Sequence, residues 1–260
     1  MKLFDSHCHL DDKAYRKDIN RVIERARQNG ITRMMTVGVN KKTAERALEL
    51  TESNPDIYTS VGFHPHDAAQ CSAAKLDFLV AAAENPKVRA WGEIGLDYNR
   101  MYSPREDQEK WFVRQLQIAA ELSLPVIFHE RDTNGRFLEI LKTDFKNESG
   151  GVVHCFSGTL SELEHYLDLG LHIGITGILT LKARGADLRE MVLRIPSNRM
   201  LVETDAPWLT PAPEKYHTRR NEPAFVKSVL LKLAEVRGED PDRLAKIVWD
   251  NTCRLYGLEV

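Results

Sequence analysis

Phe4-Asp5-Ser6-His7-Cys8-His9-Leu10 is the stretch on which the reading of this chain turns. Residues 2–5 read as a short β-strand, and two imidazoles one residue apart follow it. Side chains alternate faces along a strand, so His7 and His9 leave on the same side and can meet one cation. Histidine is the commonest protein metal ligand, although a polar loop carrying two solvated histidines would read the same way. The pair puts a question to the rest of the chain: do other strands end in side chains of this kind?

Working outward, apolar runs of strand type recur at residues 31–39, 57–63, 88–92, 125–128, 151–153, 171–175 and 200–203. Helical patterns separate them. The first links Tyr15, Ile19, Val22, Ile23 and Ala26 and closes at Gly30, a glycine suited to a helix end. Others cover residues 43–50, 76–83 and 137–141, and one passes through Leu188 and Val192. Ser103-Pro104-Arg105-Glu106 and Thr159-Leu160-Ser161-Glu162 read as capping boxes, opening helices to about Leu122 and Leu169. Two helical patterns end the chain, the second entered through Asp240-Pro241. Residues 206–223, with prolines at 207, 211, 213 and 223, read as a functional loop and not as a domain linker.

Eight strands separated by helices imply parallel pairing with right-handed crossovers. A (β/α)8 TIM barrel needs roughly 250 residues, and the 260 residues here fit one domain, 1–260, of that kind. A doubly wound open sheet is the alternative. The barrel is favoured by where the polar residues fall: His7 and His9 together, then His64, Glu93, His129, His154 and Asp205, stand at the C-terminal ends of six different strands. Those ends converge in a barrel, whereas an open sheet strings them along an edge.

So many imidazoles and carboxylates exceed what one tetrahedral ion needs, which implies two divalent metals about 3.5–4 Å apart. Glu93 is the expected bridge, with Gly92 and Gly95 expected to let the backbone approach an ion. Asp205 suits a carboxylate that binds one metal and takes the proton from an attacking water; the competing role is a turn cap before Pro207. His64 is expected to donate to a phosphate or leaving-group oxygen and not to serve as a seventh ligand. His66, His165, His172 and His217 read as ordinary polar residues. Metals imply hydrolysis without naming the bond. Arg131, the Arg219-Arg220 pair and the aromatics Phe63, Tyr98 and Trp208 point to phosphate and unpaired bases, with Arg131, Arg220 and Trp208 as substrate contacts. A solvated arginine pair and a tryptophan packed beneath its loop fit those letters equally well.

Composition agrees with an ordinary globular enzyme: 42% hydrophobic and 28% charged residues exclude a disordered chain. A net charge of −2 argues against a surface that is one continuous nucleic-acid footprint, while leaving room for local phosphate binding. No apolar run approaches the roughly 18 residues of a membrane span, and Asp5 and His7 leave no space for a signal-peptide core. Cys8, Cys71, Cys155 and Cys253 lack C-x-x-C spacing and suit free thiols, so the expected location is the cytoplasm.

The motifs SHCHL (6–10), GFHPHD (62–67), GEIGLDY (92–98), HERD (129–132), HCFSG (154–158), ETDAPWL (203–209) and RRNEP (219–223) span nearly the whole chain. Together they resemble the TatD family of metal-dependent deoxyribonucleases, within the amidohydrolase-like barrel superfamily. The resemblance implies a barrel of metallo-dependent hydrolase type that removes nucleotides from the 3′ ends of DNA. Geometry adds that a stiff duplex could not lower a phosphate into a barrel mouth, so single-stranded or frayed ends are expected to be preferred, and no obligatory protein partner is inferred. The resemblance also implies that His7, His9, Glu93, His129, His154 and Asp205 hold two divalent ions (Mg, Mn or Zn), with His64 beside the scissile phosphate. Glu130 departs from the small residue that members often carry between the histidine and arginine of HERD. Related amidohydrolases often bridge their metals with a modified lysine at the end of strand four, where this chain has Glu93. A small-molecule amidohydrolase or phosphoesterase on the same barrel is the second expectation. A metal-stabilised nucleic-acid binder that does not cut is the third, disfavoured by the candidate base Asp205.

Overall fold

The computed structural model describes residues 1–146, 148–212 and 214–260; Pro213, one of the loop prolines, lies outside them. Eight strands run in chain order through one sheet: β1 (Leu3–Cys8), β2 (Ile31–Gly38), β3 (Ile57–Val61), β4 (Val88–Asp97), β5 (Val126–Arg131), β6 (Gly151–Val153), β7 (His172–Ile175) and β8 (Met200–Val202). Between and after them come α1 (Ile19–Gln28), α2 (Lys41–Ser53), α3 (Ala73–Ala82), α4 (Arg105–Glu121), α5 (Arg136–Asp144), α6 (Leu160–Asp168), α7 (Ala186–Met191), α8 (Val226–Arg237) and α9 (Pro241–Leu255). Parallel strands in sequence order, each followed by a helix, make the (β/α)8 barrel that the alternation implied.

The chain divides into two compact units. One is Met1–Thr36 with His172–Val260. Here β7 pairs with β8, and the chain after β8 returns to β1: Asp205 donates its N–H to His7 O at 2.9 Å, and His9 donates to Ala206 O at 2.7 Å. These two bonds join the end of β1 to residues just past β8, so they fix the backbone at His7, His9 and Asp205. The packing beneath is aromatic: Phe4 of β1 lies 5.9 Å from Trp249 of α9 and 6.0 Å from Tyr256 at that helix's end, all three buried. β1 runs on past Asp5, where the pattern stopped, so His7 is a strand residue. Tyr15 sits in a 3-10 turn ahead of α1, its hydroxyl donating to Asn221 O.

The second unit is Val37–Leu171. β3, β4, β5 and β6 pair in parallel, and α4 and α5 cover them with a cluster in which Phe112 stacks on Phe137 at 5.2 Å and both meet Phe128 edge-on. β4 does not end at Gly92 as expected but continues to Asp97. Its register against β5 slips between Gly92 and Ile94, which makes Glu93 the extra residue of a bulge. Bulges re-aim side chains at functional sites, and this one carries a carboxylate.

Three local expectations change. A side-chain atom on Gly92 would stand 2.4 Å from Ile127 O, and one on Gly95 only 1.9 Å from His129 O, so these glycines serve the close approach of β4 to β5 and not that of an ion. Ser103 does not cap α4: its hydroxyl donates to His66 O at 2.8 Å and accepts from Ala69 N at 3.0 Å, while Pro104 stands at the N-cap. Residues 206–223 include a 3-10 turn, Glu214–Tyr216. The Thr159 capping box and the Asp240 cap form as read.

Gly95 and Gly135 separate lack of space from backbone strain. Both have positive φ, +146° and +86°, but nothing lies within 4 Å of a Cβ added to Gly135. Gly135→Ala should cost about 1–2 kcal/mol in urea unfolding, the left-handed penalty alone. Gly95→Ala should cost clearly more, roughly 3 kcal/mol or above, because a backbone carbonyl must move. Equal losses for the two variants would contradict the close-approach reading.

Candidate metal centre

In the unit containing the chain start, the strand period does what the H-x-H spacing suggested. His7 Nε2 and His9 Nε2 lie 3.1 Å apart, and Asp205 Oδ1 is 3.5 Å from His9 Nε2 and 3.8 Å from His7 Nε2. Two imidazole nitrogens on one tetrahedral ion at about 2.05 Å would sit about 3.3 Å apart, so the pair is spaced as ligands of one cation. Asp5 holds the scaffold. Its buried carboxylate accepts from Thr204 N at 2.9 Å, Thr204 Oγ1 at 2.6 Å and His7 N at 3.4 Å, joining the strand ends that carry His7 and Asp205. Burial pushes the Asp5 carboxyl well above the usual range despite those bonds. Trp208 stands edge-on to His9, ring centres 4.9 Å apart, and is 50% exposed, so it is not packed away beneath the loop.

In the other unit, three imidazoles meet one oxygen. Glu93 Oε1 is 2.7 Å from His129 Nδ1, 3.0 Å from His154 Nε2 and 3.3 Å from His64 Nε2. Burial alone would raise the Glu93 carboxyl, but the imidazoles of His154, His64 and His129 hold it well below the ordinary range. Buried His64 is pushed down to about 3 and is neutral at pH 7; its Nδ1 accepts from His66 N at 3.0 Å, which leaves the proton on Nε2. His129 goes the other way. Burial lowers it, yet bonds to Asp97 and Glu93 outweigh burial and raise it to about 9.

Two residues that the sequence reading passed over belong to this cluster. Asp97 Oδ2 lies 2.7 Å from His66 Nε2 and 3.1 Å from His129 Nε2, so His66 is not an ordinary polar residue. The signal was available: Asp97 stands four residues past Glu93 in a strand, and His66 repeats the H-x-H spacing of His7 and His9. Carboxylates that grip the second nitrogen of a ligating histidine fix its tautomer and orientation. The donor set suits a divalent cation. Glu93, His129 and His154 offer atoms within 4.8 Å of one another, as do His64, His66 and His129, and a cation there would compete with the His129 proton.

The expected substrate contacts fare unevenly. The Arg131 guanidinium, at the end of β5, has no ion-pair or hydrogen-bond partner among the described residues. Arg220 is committed elsewhere: it forks onto Asp18 at 2.7 and 2.8 Å, reaches Glu222 Oε1 at 2.8 Å and donates to Ala14 O at 2.9 Å. Its role as a phosphate grip does not fit that geometry. Phe63 is buried, and Tyr98 donates to Glu109 at 2.6 Å with Arg105 over its ring. Glu130 turns to Thr133, accepting from its hydroxyl at 2.7 Å, while burial holds its carboxyl above the usual range. His165 bonds the Ser161 carbonyl one helical turn back, as befits a surface helix residue.

Arg220→Ala should therefore lower stability by about 1–2 kcal/mol, the loss of a partly exposed bidentate pair. With Arg220 held by Asp18 and Glu222 rather than by substrate, the salt dependence of binding to a single-stranded DNA probe should stay as in the wild type. A slope flattened by about one, with unchanged urea unfolding, would return Arg220 to the phosphate.

Comparison with known proteins agrees with this geometry. A family model described as TatD related DNase matches residues 4–257. The chain is 42% identical over 259 residues to the 3′-5′ ssDNA/RNA exonuclease TatD of Rahnella sp. (strain Y9602), covering 98% of each chain. Among solved structures it is similar to YJJV, a TatD homologue from Escherichia coli K12, with TM-score 0.90, 31% identity and 99% and 98% of the two chains covered. A TatD family hydrolase from Entamoeba histolytica gives TM-score 0.89 at 26% identity over 98% of each chain. With a match over nearly its whole length and its strand-end histidines and carboxylates in two ligand clusters, this chain belongs to the TatD related DNase family.

Proposed function

We propose that the chain is a divalent-metal-dependent 3′→5′ exonuclease acting on single-stranded DNA and RNA, with residues 1–260 as one catalytic domain. The observation that carries the metal dependence is the single Glu93 oxygen met by three imidazole nitrogens within 3.3 Å. The names of the relatives support the substrate and polarity. One ion is assigned to His7, His9 and Asp205, a second to Glu93, His129 and His154. Imidazole-rich mixed sets suit Zn²⁺ or Mn²⁺ better than Mg²⁺, which prefers oxygen. When bound, such ions supply Lewis-acid polarisation of the phosphoryl group and lower the pKa of water.

The remaining steps belong to the protein. Asp205 is placed by its backbone bond to His7 O and is the base that takes the proton from the attacking water. Neutral His64 carries its proton on Nε2 and donates it as a hydrogen bond to a non-bridging phosphate oxygen. Arg131, without a side-chain partner among the described residues, supplies positive charge for the same phosphate, and half-exposed Trp208 a face for a base. An unpaired end is favoured because (β/α)8 enzymes act at one face of the barrel, where a stiff duplex cannot lower an interior phosphate onto strand-end residues. We also place the protein in the cytoplasm. Its four cysteines are free thiols, and no helix among the described residues is long and apolar enough to cross a membrane.

Linear and circular single-stranded DNA of one sequence, and linear RNA, test the reading under matched salt and metal. Linear DNA and RNA should shorten stepwise from the 3′ end while the circle survives. Equal cutting of the circle would remove the exonuclease assignment, and hydrolysis of amide or small phosphoester substrates alone would remove the nuclease. Asp205→Asn should lower turnover about 10²- to 10⁴-fold in a folded protein; near-normal turnover would free Asp205 from the role of base.

A further inference from the structure

Among the described residues, three large aromatic rings stand strongly exposed: Trp208, Tyr102 at 66% and Tyr216 at 84%. Tyr216 touches no other ring among the described residues, but Tyr102 lies edge-on to His66, ring centres 4.8 Å apart and planes at 81°. His66 in turn is 4.3 Å from His64 and bonded to Asp97. We propose that Tyr102 is a stacking platform for one nucleobase of the strand whose phosphate is held at the Glu93 cluster, a subsite that rests on the nuclease reading above.

The loop that carries Tyr102 is fixed on both sides of it. Before it, Asp97 Oδ1 accepts from Asn99 N at 3.0 Å and Arg100 N at 2.8 Å, and Asn99 Nδ2 donates to Asp132 at 2.6 Å. After it, Ser103 is tied by its hydroxyl to His66 O and Ala69 N, and its carbonyl accepts from Gln108 at 2.9 Å. Ser103 thus performs this anchoring in place of the helix cap its sequence suggested. The clamps hold the backbone while the ring stays largely in water, where it adds little to folding. A rigid aromatic side chain with two torsions loses little entropy on binding, and its face accepts any base because every base has a π-face. Asp97 links the platform to the chemistry, since one carboxylate positions His129, His66 and the start of the Tyr102 loop.

The test uses Tyr102→Ala, Tyr102→Phe and a set of single-stranded oligodeoxynucleotides in which each of the last few nucleotides is in turn made abasic. Wild type should lose roughly 5- to 150-fold in kcat/KM at one abasic position. Tyr102→Ala should cut the intact oligonucleotide at about that lowered rate and be indifferent to the abasic site there, with an unchanged melting temperature. Tyr102→Phe should behave as wild type. A loss in Tyr102→Ala that is equal on intact and abasic strands, or no loss at all, overturns the platform and leaves the nuclease standing. If wild type cuts none of the oligonucleotides, the nuclease reading and the platform fall together.

Discussion

A buried carboxylate facing three imidazoles is the constraint on which the Glu93 cluster and the strands that carry it depend. Burying Glu93 without partners would drive it to bind a proton, and neutral imidazoles alone do not compensate a full negative charge in a low-dielectric site. The histidines must therefore lend a proton or share a cation. Both sides of that balance are present: Glu93 is held far below its usual range while His129 is raised to about 9. A divalent ion would resolve the conflict better than a proton, because it would satisfy several donors at once and compete with the proton on His129.

The fold meets this constraint by placing backbone first and side chains second. Gly92 and Gly95 let β4 lie against β5 closely enough for His129 to reach Glu93, and the bulge at Glu93 turns the carboxylate toward it. In the other unit the buried Asp5 carboxylate and the two backbone bonds between the ends of β1 and β8 do the corresponding work for His7, His9 and Asp205. Neither Asp5 nor Asp97 is assigned an ion. Both act on residues proposed as ligands, as outer carboxylates do when they tune metal sites.

Much of this was legible in the sequence because strand ends are a strong address. A histidine or carboxylate directly after a β-branched run is costly to bury for packing, and the alternation of strands with helices then says that such residues share a face. The strand limits were less legible. The strand-type run reads as ending at Gly92, but the glycines are what the neighbouring backbone demands and the strand continues, and the misplaced end hid Asp97 and its partner His66. Arg220 and Ser103 failed for another reason. Which acceptors surround a guanidinium, and whether a serine faces its own helix or a neighbouring loop, depends on residues far away in sequence: Arg220 is held by Asp18 and Glu222, and Ser103 by His66 and Ala69.

Elemental analysis of chelator-free protein, wild type beside Glu93→Gln, tests the central claim most directly. The amide keeps the volume and removes the charge that several donors oppose, so wild type should carry about two divalent ions per chain and the folded variant measurably fewer, with turnover lost in parallel. Full metal content and near-normal turnover in Glu93→Gln would contradict the account, because the carboxylate charge would then not be what holds the centre together.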